Sequence, residues 1–147
     1  MKNRMAFNRR VAVAVMGIVF GLSLAAQNGE TFKARLSPLP ADARTRADLA
    51  GSGAASAVLS GTKLAITGSF EGLRTAATTA SLHGSVAAGV RGPAIGDLTI
   101  SKATSGTITG SIELTPQQLT SLRKGGLYVQ IHSEKAPDGV LWGWLLR

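Results

Sequence analysis

Beyond residue 26 the chain holds two histidines, His83 and His132, eight acidic residues and no cysteine. A copper or zinc site generally takes three or more protein donors. The two histidines would therefore need a carboxylate, or a second chain, to hold either metal. Without cysteine there is no thiolate site and no thiol nucleophile. The order and spacing of Ser, His and Asp match no catalytic triad, and neither a nucleophile elbow nor a phosphate loop is present. Asp97 and Glu113 fall in separate predicted strands, so no carboxylate pair is set up for acid–base work. These residues exclude the common enzyme classes. They leave one chemical option, a copper- or zinc-binding domain using His83 and His132.

A second group of residues points to contact rather than catalysis. Leu127, Val129 and Ile131 alternate with Tyr128, Gln130 and His132, and Leu141, Gly143 and Leu145 alternate with Trp142 and Trp144. Successive strand residues face opposite sides, and cross-strand neighbours share a side. If the two segments pair with their aliphatic rows inward, Tyr128, Gln130, Trp142 and Trp144 form an aromatic strip with His132 at its edge. Such a strip suits a partner surface. Packing of the tryptophans as core is the alternative reading.

These residues need strands to present them. Short alternating segments recur about every ten residues with glycine at the joints: 31–37, 53–59, 63–70, 78–86, 94–100, 107–114, 127–133 and 140–146. Leu64, Ile66 and Phe70 share one face, as do Ile108, Ile112 and Leu114. Pro137-Asp138-Gly139 reads as the turn of the last hairpin. One helix interrupts the strands. Thr115 caps it, Pro116 opens it and Gln118 completes a capping box. Leu114 and Leu119 make a hydrophobic staple, and Gly125 follows the basic last turn of Arg123 and Lys124. Residues 41–52 have no clean period and read as a loop. The pattern predicts an all-β domain, sandwich or barrel, with one short connecting helix.

In order, these segments resemble the CHRD domain, first described in chordin and found in bacterial exported proteins. The resemblance covers about 32–146. It rests on Phe32-Lys33-Ala34-Arg35-Leu36 with Pro38 and Pro40, on Ser81-Leu82-His83-Gly84 against the family's H-I-H-G, and on Gly92-Pro93 with the strand after it. It continues through Thr115, Gln118, Leu122 and Gly126, then Leu127-Tyr128-Val129 with His132, and Pro137 to Leu145 against P-x-G-E-I-R-G-x-I. The resemblance implies an immunoglobulin-like antiparallel β-sandwich and no known enzymatic activity. Ser81 stands where the family has a histidine, which weakens a metal site there. Val140 and Trp142 stand where it has Glu and Arg, which favours outward-facing tryptophans.

Residues 1–26 carry Lys2, Arg4, Arg9 and Arg10, then an apolar run from Val11, then small residues ending at Ala26. That is the pattern of a cleavable signal peptide, shorter than a spanning helix needs. A single domain over 27–147, periplasmic or secreted, is expected to follow it. If the segment stays uncleaved, it is the chain's one membrane attachment. The full chain has net charge +8; removing the four basic residues of the leader leaves twelve basic residues against eight acids. These twelve are scattered and not interleaved with aromatics, so nucleic acid is not expected as a partner. The expected function is an exported, non-enzymatic binding module. It would meet another envelope or secreted protein, or a larger complex as a subunit, through Tyr128, Gln130, Trp142 and Trp144. A glycan stacked on the same strip, or an edge strand donated to a neighbour, are variants of that reading.

Overall fold

A computed structural model describes residues 29–147. The expected signal peptide lies outside the described residues. Eight strands and one helix follow in chain order: β1 Glu30–Pro38, β2 Ser52–Ser60, β3 Lys63–Glu71, β4 Ala77–Gly84, β5 Ala94–Ile100, β6 Gly106–Glu113, α1 Pro116–Arg123, β7 Leu127–Ser133 and β8 Ala136–Trp144. Every pairing is antiparallel, and the order β1-β2-β3-β6-β5-β4-β7-β8 closes on itself.

That closure corrects the expected immunoglobulin-like sandwich. The domain is a closed eight-stranded antiparallel barrel. The seam between the first and last strands carries the difference. Lys33 and Leu146 exchange backbone hydrogen bonds at 2.7 and 2.9 Å, Ser37 and Pro38 pair with Trp142 and Leu141, and Leu39 N donates to Val140 O at 3.1 Å. All these pairs keep one register. β1 therefore continues past its partnership with β2 onto β8, and the sheet has no free edge there. On the far side, β5 meets β6 through Thr99–Thr109 and Ile100–Ile108.

The inward rows show why a narrow barrel fills. Phe32, Ala57, Ile66 and Gly110 lie across one row; Leu36, Gly53, Phe70 and Gly106 lie across another. Large and small side chains alternate around each row, which suits the interior of a small barrel. Phe32, Leu36, Leu64, Ile66, Phe70, Leu82, Ile108, Leu127, Ile131, Leu141 and Leu145 are all buried in this core. Fully burying each such side chain contributes about 1.5–3 kcal/mol.

α1 bridges β6 and β7 as its sequence predicts. The Gln118 amide N–H donates to the Thr115 hydroxyl, and the Gln118 side chain accepts from the Thr115 N–H, forming the capping box. Leu122 points from the helix into the core, and Gly125 leaves it with φ +76°. This anchors the entry to β7, the central strand of the site.

The last hairpin differs from its sequence reading. Ser133 pairs with Ala136, so Glu134-Lys135 is the turn, and β8 starts at Ala136. Pro137, Asp138 and Gly139 lie inside β8 as a bulge, where the register shifts against β7. A bulge adds unpaired residues to one strand and turns their backbone groups elsewhere. Here they turn toward β7.

Candidate functional site

The outer face of β4, β7 and β8 gathers the chemistry-bearing residues. Pairing places His83 beside Tyr128 and Tyr128 beside Trp144; Ser81 stands beside Gln130 and Gln130 beside Trp142; Thr79 stands beside His132. Core residues Leu82, Val129, Ile131 and Leu141 occupy the alternate positions and point inward. The His83 and Tyr128 rings stack at 4.9 Å between centroids. Tyr128 meets Trp144 at 4.4 Å and Trp142 edge-on at 5.9 Å, and the two tryptophans are 5.9 Å apart at 60°.

Two backbone excursions hold this cluster. The chain between β4 and β5 loops out and back, pinched at its base by Gly84 N to Pro93 O (3.0 Å) and braced by Ser85 N to Gly126 O (2.8 Å). At the end of the loop, Gly92 N–H donates to the Tyr128 hydroxyl at 3.0 Å, and that hydroxyl donates to Gly92 O at 3.2 Å. Gly92 is needed for the close approach, because a Cβ there would collide with the Gly84 carbonyl. The β8 bulge is the second excursion. Asp138 O accepts from Gln130 Nε2 at 3.0 Å and from Arg91 at 3.3 Å.

Both histidines lean on these excursions. His83 Nδ1 is 2.9 Å from Gly92 O, and His132 Nδ1 is 2.7 Å from Pro137 O. A carbonyl only accepts, so each Nδ1 must carry the hydrogen. In the neutral rings the lone pair is then on Nε2. His83 Nε2 lies 2.8 Å from Ser81 Oγ, and His132 Nε2 lies 3.3 Å from Gln130 Nε2. Neither ring has a carboxylate or cation among its hydrogen-bond partners.

The structure brings together all six residues singled out in the sequence. Their alternation and facing are as read, yet the strip is largely covered. Tyr128 is 1% exposed and Gln130 3%, while Trp142, Trp144, His83 and His132 are half-buried. Tyr128 and Gln130 thus act from beneath, positioning the loop and the bulge. Asp97 pairs with Ser81 on the neighbouring strand. No group of three or more His, Asp or Glu side chains converges on a metal position among the described residues. Gly92, Pro137 and Asp138 act in the site through backbone atoms, which their side-chain types do not announce. A Gly-Pro pair closing an exposed run and a Pro-Asp-Gly triplet were the available signals.

The fold and site together define a closed antiparallel barrel whose outer face carries an aromatic and histidine cluster beneath an anchored loop. The chain belongs to the CHRD domain family, whose model matches residues 32–145. No curated protein and no solved structure gives a significant match.

Proposed function

We propose that this CHRD domain is an exported, non-enzymatic binding module that docks on another envelope or secreted protein. The aromatic cluster is its foundation and the β4–β5 loop its point of contact. One observation carries the reading. The tip of that loop, Val86-Ala87-Ala88-Gly89-Val90, is exposed throughout, with Val86 92% and Val90 45% exposed. Five consecutive exposed apolar residues are unusual on a soluble surface unless they meet something.

The anchoring supports the same reading. A loop whose ends are pinched together is compact and defined in shape. Held at Gly92 by Tyr128 and His83, it loses little conformational freedom when a partner closes over it. Trp142 and Trp144, half-buried on the outer face, offer further apolar area there. A protein partner fits this surface better than a glycan, because the tryptophan rings stand at 60° to each other and offer no flat stacking platform.

The test is the native size of the endogenous mature protein, tagged at its C-terminus and gently extracted from the cell envelope. Wild-type protein should migrate within a larger species, and Val86→Ser/Val90→Ser should migrate alone while keeping its thermal stability. A wild-type protein that runs alone, or a double variant that stays in the larger species, rejects the proposal.

A further inference from the structure

We infer that His83 and His132 form a two-coordinate site selective for monovalent copper. His132 stands four positions along β7 from Tyr128, the cross-strand neighbour of His83. At about 3.3 Å per residue, the two histidine backbones stand roughly 13 Å apart along the strands. Their ring centroids are nevertheless only 6.5 Å apart, with the planes at 32°. The two imidazoles lean toward each other over the Ser81–Gln130 pair that lies between them.

The protonation pattern is that of metal-binding histidines. A ligating imidazole typically gives its second N–H to a carbonyl or carboxylate, which fixes its tautomer and orientation. Both rings already do so, to Gly92 O and Pro137 O. Both Nε2 lone pairs remain on the inner side of the cluster, against neutral groups only, the Ser81 hydroxyl and the Gln130 amide. The spacing also fits. With metal–nitrogen bonds of about 2.0 Å, and each ring centre about 1.1 Å behind its nitrogen, a linear N–metal–N unit spans roughly 6 Å between ring centres.

The donor count then selects the ion. Zinc and divalent copper take three or more protein donors; monovalent copper is the exception to that count, a singly charged ion that two imidazole nitrogens in line can hold. Asp97 stands in register with Ser81 and Asp138 lies in the bulge against Gln130, and neither joins the two histidines in a group of three donors. The rings of Tyr128, Trp142 and Trp144 pack on this side of the barrel, in an apolar setting that suits a monovalent ion better than a divalent one. Binding displaces the Ser81 and Gln130 hydrogen bonds from the Nε2 atoms without unseating either Nδ1.

The experiment is an anaerobic competition for Cu(I), with a chromophoric Cu(I) chelator as the reporter, on the mature protein. Wild type should take up one Cu(I) per chain and show the X-ray absorption edge of a two-coordinate nitrogen site. Losing an outer partner of a metal ligand costs about 10–100-fold in affinity, so losing one of only two ligands should cost more than about a hundredfold. His83→Asn and His132→Asn test this, because asparagine can still donate to the backbone carbonyl and so protects the fold. Asp97→Asn should bind Cu(I) like wild type. Wild type that fails to compete for Cu(I), histidine variants that bind as well as wild type, or Zn(II) held more tightly with dependence on Asp97 would each overturn the proposal.

Discussion

Tyr128 spends its one polar atom on the backbone of a single residue. Its hydroxyl satisfies both the N–H and the carbonyl of Gly92, while its ring is packed by His83, Trp142 and Trp144. Tyr128→Phe should keep the ring packing and lose the anchor. The expected cost is about 1–3 kcal/mol in denaturant unfolding, since two hydrogen bonds of about 0.5–1.5 kcal/mol net each are lost. Hydrogen exchange at the Gly92 amide should quicken by more than global stability accounts for, since the loop can then lift locally. If exchange at Gly92 is unchanged, the hydroxyl does not hold the loop. At this scale the sequence was informative in part. The period-2 alternation of Tyr128, Gln130, Trp142 and Trp144 placed them on the face opposite Leu127, Val129 and Ile131, as they are. Their burial was not legible, because it depends on pairing: His83 and the Gly92 loop close over Tyr128 from β4 and beyond, and the β8 bulge closes over Gln130.

Among the elements, the β8 bulge turns one strand into a support for its neighbour. Gly139 has φ +122°, a region that glycine enters freely and other residues rarely. A Cβ there would lie 2.7 Å from Gln130 Nε2 and 2.9 Å from Leu39 Cδ2. Gly139→Ala should therefore flatten or displace the bulge, costing more than about 1 kcal/mol of stability. It should also release His132 from Pro137 O, visible as a shift of the His132 ring resonances while those of His83 hold. A variant as stable as wild type with unmoved His132 resonances would show that the bulge is not the support described. Pro-Asp-Gly is strong turn chemistry, yet here it forms the bulge and not the hairpin turn. The actual turn, Glu134-Lys135, carries no such signature. Pairing register decided between them, and register is a property of two strands together. The α1 caps depend on residues three apart, and they were legible from end to end.

At the scale of the whole molecule, charge reinforces the closure of the barrel. The Glu30 carboxylate accepts from Arg123 at the end of α1 (2.8 Å) and from Arg147 at the end of the chain, and the Arg147 guanidinium lies 5.6 Å over the Phe32 ring. The hydrogen bond from Arg123 is the main cause holding the Glu30 carboxyl below its ordinary value of 4.5; desolvation opposes it, and Arg147 adds to the lowering. A folded-state pKa below the unfolded one stabilises the fold at pH above the unfolded value, and that stabilisation is lost as pH falls through the folded value. Wild type should thus be more stable than Glu30→Gln at neutral pH, with the gap closing below about pH 4.5 as the carboxyl is protonated. The pair is partly exposed, so salt should shrink the gap as well. A gap that stays constant all the way down the acid range would assign the effect to packing. Strand number and alternation were readable along the chain, but closure was not. An alternating strand looks the same in a sandwich as in a barrel, and only the register shared by β1 and β8 separates them.

That seam also sets the order in which the domain can be completed. Ser37 waits for Trp142, and Lys33 waits for Leu146, so strands from opposite ends of the domain must meet before the wall is whole. Pairing across such a sequence distance pays its loop-closure entropy early and is slow to form. Until the last residues arrive, β1 and β7 both show open edges, and Tyr128 lacks the tryptophans beside it. A chain cut short before β8 would thus lose its closure, its aromatic cluster and its protection from edge-to-edge aggregation together. Fragments left by proteolysis should therefore aggregate where the complete domain stays dispersed.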